Sequence, residues 1–248
     1  MANDRLRASM TSAGMTIATL SEYVGVDPKT VERWIAKERI PHRTHRMSVA
    51  AALGQDDGYL WPSILEQGRT PAISRAELVT IHQNRRTVPL DTWLSLTRNA
   101  RESIDILAYA ASFLHDALPD FVDILAEKAA AGVGIRLLLG DPESDGVRLR
   151  GREEGIDDML AARCRLTWRY FASIITTDGV IARKHGSTLY NSIFRFDDAM
   201  LTNTHIYGAP ASHSPTLHIQ RLPEGRLFKN YMLGFERVWS TGEPVTDL

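Results

Sequence analysis

Seven residues constrain this chain more than any others: Val24, Gly25, Val26, Asp27, Pro28, Lys29 and Thr30, in the middle of TIATLSEYVGVDPKTVERWIAKERI (residues 16–40). Glycine enters the left-handed backbone region without strain, so a helix reaching Gly25 can end there and turn sharply. Asp27 is placed to cap a second helix and Pro28 to open it, where a missing N–H is harmless. Leu20 and Val24 form an apolar stripe on the first helix, Val26 plugs the corner, and Val31 and Trp34 face back from the second. The spacing predicts two short helices joined by a tight turn, with Lys29, Thr30 and Arg33 on the outward face. Basic residues continue through Lys37, Arg39, Arg43 and Arg46, with His42 and His45 among them, against only Glu32 and Glu38. The same pattern also suits a plain helical hairpin with a solvated face.

Composition hides that patch. Over all 248 residues the net charge is -1, which by itself points to neither a nucleic acid nor a membrane. No apolar run approaches the roughly 18 residues of a membrane span, and MANDRLRASM lacks the apolar core of a signal peptide, so a cytoplasmic protein with no membrane partner is expected. Cys164 is the single cysteine, which leaves no partner for an internal disulfide. The histidines lack metal-ligand spacing, and neither a metal nor a cofactor is expected.

Periodicity divides the chain. GQDDGYLWP (54–62) and EQGRTPAIS (66–74) interrupt it, so an all-α first domain is expected over 1–54 and a connector over 55–88, with a short helix at 75–83. Pro89 then precedes a helix capped by Asp91. SIDILAYA (103–110), PDFVDILAEKAAAG (119–132) and GIRLLLGD (134–141) read as strand, amphipathic helix and strand, a βαβ unit with a right-handed crossover. A long helix is expected over about 151–173, then strands in GVIARKH, SIFRF, AMLTNTHIY and TLHIQRL. The closing helix GRLFKNYMLGFERVWS sets Leu227, Tyr231, Phe235 and Trp239 at intervals of four. The expected fold class is α/β, with an all-α helix-turn-helix domain followed by an α/β domain over 89–248.

The first 54 residues resemble the helix-turn-helix of XRE/Cro-type repressors. Leu20, Ser21, Val24, Gly25, Val26, Val31 and Trp34 occupy that family's core positions, and MSVAAALG resembles its following helix. The resemblance implies a double-stranded DNA operator as partner, with Lys29, Thr30 and Arg33 toward base edges and Arg33 the candidate for a guanine. Lys37, Arg39, His42, Arg43 and Arg46 would lie beside phosphates.

The second domain resembles one half of a phospholipase D-type fold, through its βαβ start, the paired strands across FRFDDAMLTNTHIYG and the final helix with Phe235 and Trp239. Active members of that superfamily carry His-x-Lys-x4-Asp: the histidine attacks phosphorus and the lysine binds phosphate oxygens. Here no histidine has a lysine two places on, and if Asp197 matches the motif's aspartate, the reactive positions fall on Tyr190 and Ser192. The resemblance implies a non-catalytic domain that pairs two copies of the chain into a homodimer. Strand alternation puts Asn191, Arg195 and Asp197 on one face and Asn203, His205 and Tyr207 on one face of the next strand. Such a row could line a small-molecule effector pocket together with His185 and with Asp141 at a strand's carboxyl end, or it could be a structural network and Asp141 a capped turn. Two rival functions remain: a divergent phosphodiesterase or nuclease using His185 or His205, and an antitoxin-like or defence-associated regulator that binds a protein.

Overall fold

Gly25 turns the chain as its position predicts, at φ 73° and ψ 41°, and ends α2 (Ile17–Val24). The Asp27 side chain accepts from the Lys29 amide at 2.8 Å and starts α3 (Pro28–Ala36), with Pro28 in the first turn. These helices belong to a computed structural model that describes residues 3–37, 39–67 and 74–245. The chain divides into two compact units, Met1–Ala72 and Ile73–Leu248.

The first unit adds α1 (Asp4–Ser12), α4 (Arg43–Leu53), α5 (Asp57–Leu60) and a 3-10 segment over Pro62–Gln67. Leu6, Met10, Leu20, Val31, Trp34, Ile35, Val49 and Leu53 make one core with Leu60 and Trp61. Domain closure at Gly54 is therefore corrected. Asp56 caps α5 through the amides of Gly58 and Tyr59, and this brings Leu60 and Trp61 inward, where Trp61 meets Trp34 edge-on at 6.4 Å between centroids. Asn3 ties the start of the chain to the same place, its Nδ2 donating to the Leu60 carbonyl at 2.9 Å. The linker stretch expected around 66–74 falls largely outside the described residues.

The second unit is built on a mixed eight-stranded sheet. In chain order its elements are β1 (Leu78–His82), α6 (Leu90–Asn99), β2 (Ser103–Ala108), α7 (Phe113–Ala117), α8 (Phe121–Ala130), β3 (Gly134–Gly140), α9 (Asp145–Glu153), α10 (Asp158–Ile175), β4 (Val180–His185), β5 (Asn191–Phe196), β6 (Ala199–Thr204), β7 (Thr216–Gln220), α11 (Leu227–Thr241) and β8 (Glu243–Pro244). The spatial order is β1-β7-β6-β5-β2-β3-β4-β8. Strands β2, β3 and β4 run parallel, joined by helical crossovers, and the remaining pairs are antiparallel. Side chains alternate across the sheet. Ile104, Ile106, Ile135, Leu137 and Phe194 pack on one side with Trp93, Phe121 and Phe171, while Leu107, Leu138, Ile193, Met200 and Ile219 pack with Phe235 of α11 on the other.

Three local expectations change. The helix expected over 75–83 stops early: residues 74–77 are helical, but Leu78–His82 is the edge strand β1, paired antiparallel to β7, because Val79, Thr80 and Ile81 suit an extended edge better than a helical turn. The helix expected over 151–173 is two helices, since Gly155 (φ 68°) and Asp157 (φ 43°) both enter the left-handed region between α9 and α10. Asp91 lies inside the first turn of α6 rather than capping it; the cap position belongs to Pro89.

Candidate functional site

In the first unit, α3 separates its residues cleanly by face. Val31, Trp34 and Ile35 are buried, while Lys29, Arg33 and Lys37 are exposed and Thr30 is half-buried. Residues three and four apart share a helix face, so 29, 30, 33 and 37 form one outward stripe. Arg39, His42 and Arg43 are also exposed, His42 at the cap position of α4 without a side-chain capping bond. Arg46 departs from the expected set. Its Nε lies 3.1 Å from Asp57 Oδ2 and both side chains are largely buried, so its charge is spent on holding α4 to α5.

In the second unit the predicted row breaks into separate places. Asp197, with φ 51°, sits at the β5–β6 turn, where its carboxylate accepts from the amides of Arg101, Glu102 and Ser103 at 2.8–2.9 Å. Burial pushes its pKa up, but those three donors and nearby Arg195 outweigh it and hold the carboxyl below its ordinary value. Arg195 donates to the buried Asp105 at 2.8 Å. Antiparallel pairing sets Phe196 beside Ile104 and Ile193 beside Leu107, so Arg195 and Asp197 lie at the amino end of β2, away from the other candidates. Asp141 makes the turn after β3: its Oδ1 accepts from the Glu143 amide and its carbonyl from Ser144 Oγ. Asn203 is fully buried and its Nδ2 donates to the carbonyls of Ser214 and Pro215. Asn191 is half-buried at the start of β5, opposite Thr204. These five residues are placed by structural contacts and do not converge on one space.

What does converge lies at the carboxyl end of β2. A cavity of about 610 Å³ opens there, walled by Val88, Trp93, Phe113 and Leu160 and by the chain that follows β2, Ala108–Phe113. Its polar groups include Ser192, His205, Tyr109, Arg85, Arg86, Arg163, Glu154 and Asp116. Ser192 Oγ and His205 Nε2 are 3.0 Å apart, and His205 Nδ1 is 3.2 Å from the Leu189 carbonyl. With the Nδ1 proton donated to that carbonyl, Nε2 accepts the serine hydroxyl. The Tyr109 ring stacks on His205 at 5.8 Å, and the Tyr109 hydroxyl accepts from the Leu189 amide at 2.8 Å. Burial, with the charges of Arg150 and Arg85 adding to it, pushes His205 down to about 4. Its ring is therefore neutral at physiological pH. His185, 1% exposed, stands outside the cavity, its Nε2 3.1 Å from the Ala108 carbonyl, and burial lowers its pKa as well.

Of the predicted residues, only His205 lines this cavity. Arg85, Arg86, Arg163 and Tyr109 come to it from segments whose sequence carries no motif, whereas Ser192 stands where the phospholipase D-type motif aligned on Asp197 would have its lysine. For the arginines the one available signal was the pair Arg85-Arg86 ahead of TVPLDTW, which reads equally as a polar loop.

No protein-family model matches this sequence, and no curated protein is significantly similar to it. Among solved structures, the phospholipase D family member Nuc from Salmonella typhimurium is similar over 67% of this chain and 96% of its own, at 16% identity and a TM-score of 0.44. TrmBL2, an archaeal chromatin protein described as having a novel mode of DNA binding, is similar over 74% of this chain at 14% identity and a TM-score of 0.45. Phosphatidylserine synthase from Haemophilus influenzae is similar over 66% of this chain at 14% identity and a TM-score of 0.45. The chain spans 60% and 38% of the last two. At this level of likeness the chemistry has to come from the chain's own residues. Among the described residues, no group of histidine, cysteine and acidic side chains could hold a metal ion, and no helix is long and apolar enough to cross a membrane.

Proposed function

We propose that this protein is a sequence-specific DNA-binding transcriptional regulator that acts as a homodimer, its second unit a non-catalytic domain that senses a small molecule. The observation carrying the proposal is the α2–Gly25–α3 turn, whose second helix buries Val31, Trp34 and Ile35 and leaves Lys29, Arg33 and Lys37 outward. A recognition helix needs that division: an apolar face to fix it and a basic amino-terminal face for base edges. Arg39, His42 and Arg43 are placed for phosphates; Arg46 leaves that set because Asp57 holds it. A salt series on a bound operator tests this. Arg43→Ala weakens every sequence alike and flattens the salt slope, whereas Arg33→Ala relaxes discrimination by about 1–3 kcal/mol. Equal effects of both changes on operator and random DNA would remove Arg33 from base reading.

The second reading is an enzyme, favoured by the hydrogen-bonded Ser192 and His205, the arrangement of a nucleophile with its base. Two facts weigh against it. A histidine depressed to about 4 is a weak base at neutral pH, and no lysine stands where the phospholipase D-type motif would bind phosphate. Phosphodiester and carboxylester substrates decide between the readings, since turnover lost in His205→Ala establishes the enzyme.

A further inference from the structure

We infer that the cavity at the carboxyl end of β2 binds a small organic oxyanion, an apolar or aromatic body carrying one carboxylate or phosphate, with Arg85 gripping the charged group. Its regulatory meaning rests on the sensor reading above, while the binding itself stands apart from it.

The charges that line the cavity do not balance. The lining contains three arginines and two acids. Glu154 is engaged, 2.7 Å from Nε of Arg150, a buried residue that also donates to the Ala209 carbonyl, and Asp116 lies mostly exposed at the rim, 2.9 Å from His115 Nδ1, which leaves three guanidinium groups against one outlying carboxylate. Arg85, Arg86 and Arg163 make no close ion pair with a carboxylate among the described residues, although the charge of Glu154, held by Arg150, reaches Arg85 from farther away. The unspent charge of the cavity is therefore positive.

Arg85 is the telling residue. It is half-buried, with its guanidinium 4.3 Å from the centroid of the Phe113 ring, and burial lowers its pKa to about 10. Taking a guanidinium partly out of water without a paired anion costs free energy that a bound carboxylate or phosphate recovers through two parallel hydrogen bonds. A second observation points the same way. Ala111, at φ 49°, and Ser112, at φ -53° and ψ -30°, carry the two amides just ahead of α7. Both residues line the cavity, and neither amide donates to a protein acceptor among the described residues. The remaining wall, with Val88, Leu90, Trp93, Phe113 and Leu160, is apolar, and 610 Å³ is within the range of organic ligand sites. The ligand is thus neither an inorganic ion nor a neutral hydrocarbon.

A matched pair of probes tests this on the full chain. The fluorescent anion 8-anilino-1-naphthalenesulfonate and its neutral counterpart N-phenyl-1-naphthylamine share one aromatic body and differ by the charge. Arg85→Gln weakens the anion about ten-fold or more and the neutral probe less than about two-fold. Thermal melting checks that the variant is folded; if it is not, the exposed rim change Arg163→Gln carries the same comparison with a smaller factor. Equal weakening of both probes, or none, overturns the inference. Benzoate and phenyl phosphate then compete with the bound anion, and the one that displaces it at lower concentration identifies the oxyanion; failure of both at millimolar concentration also overturns it. Operator affinity measured with the displacing anion separates the two readings, because an unchanged affinity removes the sensor role and leaves the site standing.

Discussion

Asp197 does with one carboxylate what a loop usually needs several groups for. It collects the amides of Arg101, Glu102 and Ser103 and so closes the turn that starts β2. Charged acceptors are worth more than neutral ones, and its positive φ is a conformation that asparagine adopts at lower cost than alanine. Asp197→Ala should cost about 2–4 kcal/mol in urea unfolding and Asp197→Asn distinctly less. His205 sets a pH dependence. Its pKa falls from 6.5 to about 4 on folding, so the unfolded chain binds the proton more tightly. The stability this neutral ring contributes is fully present above about pH 6.5 and is lost as pH falls from there toward 4, at most on the order of 3 kcal/mol. Denaturation at pH 7 and pH 5 checks it: the loss should shrink in His205→Asn. The sequence put Asp197 and His205 in one row because alternation says which face a side chain takes. It does not say which end of the strand faces the space, and here the two stand at opposite ends.

Among the elements, glycine separates conformational cost from steric cost. At Gly25 a Cβ would meet nothing within 4 Å, so Gly25→Ala is penalised only by its φ of 73°, about 1–2 kcal/mol. That loss should appear in the unfolding of the first unit with α-helical content unchanged at low denaturant. Gly225 is different: a Cβ there would collide with Glu77, a fully buried residue whose carboxylate accepts from the amides of Leu227 and Phe228 at the start of α11. The α2–α3 pair was legible because Gly25, Asp27 and Pro28 each act within a few residues. Strand β1 was not, since five residues with one partner 134 or more positions away carry no local signal of that pairing. The cavity escaped for the same reason: Arg85, Tyr109, Arg163 and His205 meet only once the sheet has formed.

Across the whole molecule, the two units keep separate cores. Leu6, Leu20, Trp34 and Trp61 form one, and the residues on the two sides of the sheet form the others, with no residue in common. Residues 73–248 alone should therefore unfold cooperatively, with a midpoint within a few degrees of the corresponding transition in the full chain, by calorimetry or far-ultraviolet circular dichroism. A truncated form that is molten would show that the sheet depends on the helical unit. The α/β alternation over β2, α8 and β3 was readable from the sequence, whereas the order of the strands was not, because it depends on pairings between distant segments.

That order has a consequence for how the protein is made. The margins of the sheet are β1 and β8, whose residues come from opposite ends of the second unit. While the chain emerges from the ribosome, the parallel centre can assemble early, but β1 must wait for β7, and the outer side of β4 stays bare until residues 243–244 arrive. Any pause in translation late in the gene would leave both flanks open to neighbouring nascent chains.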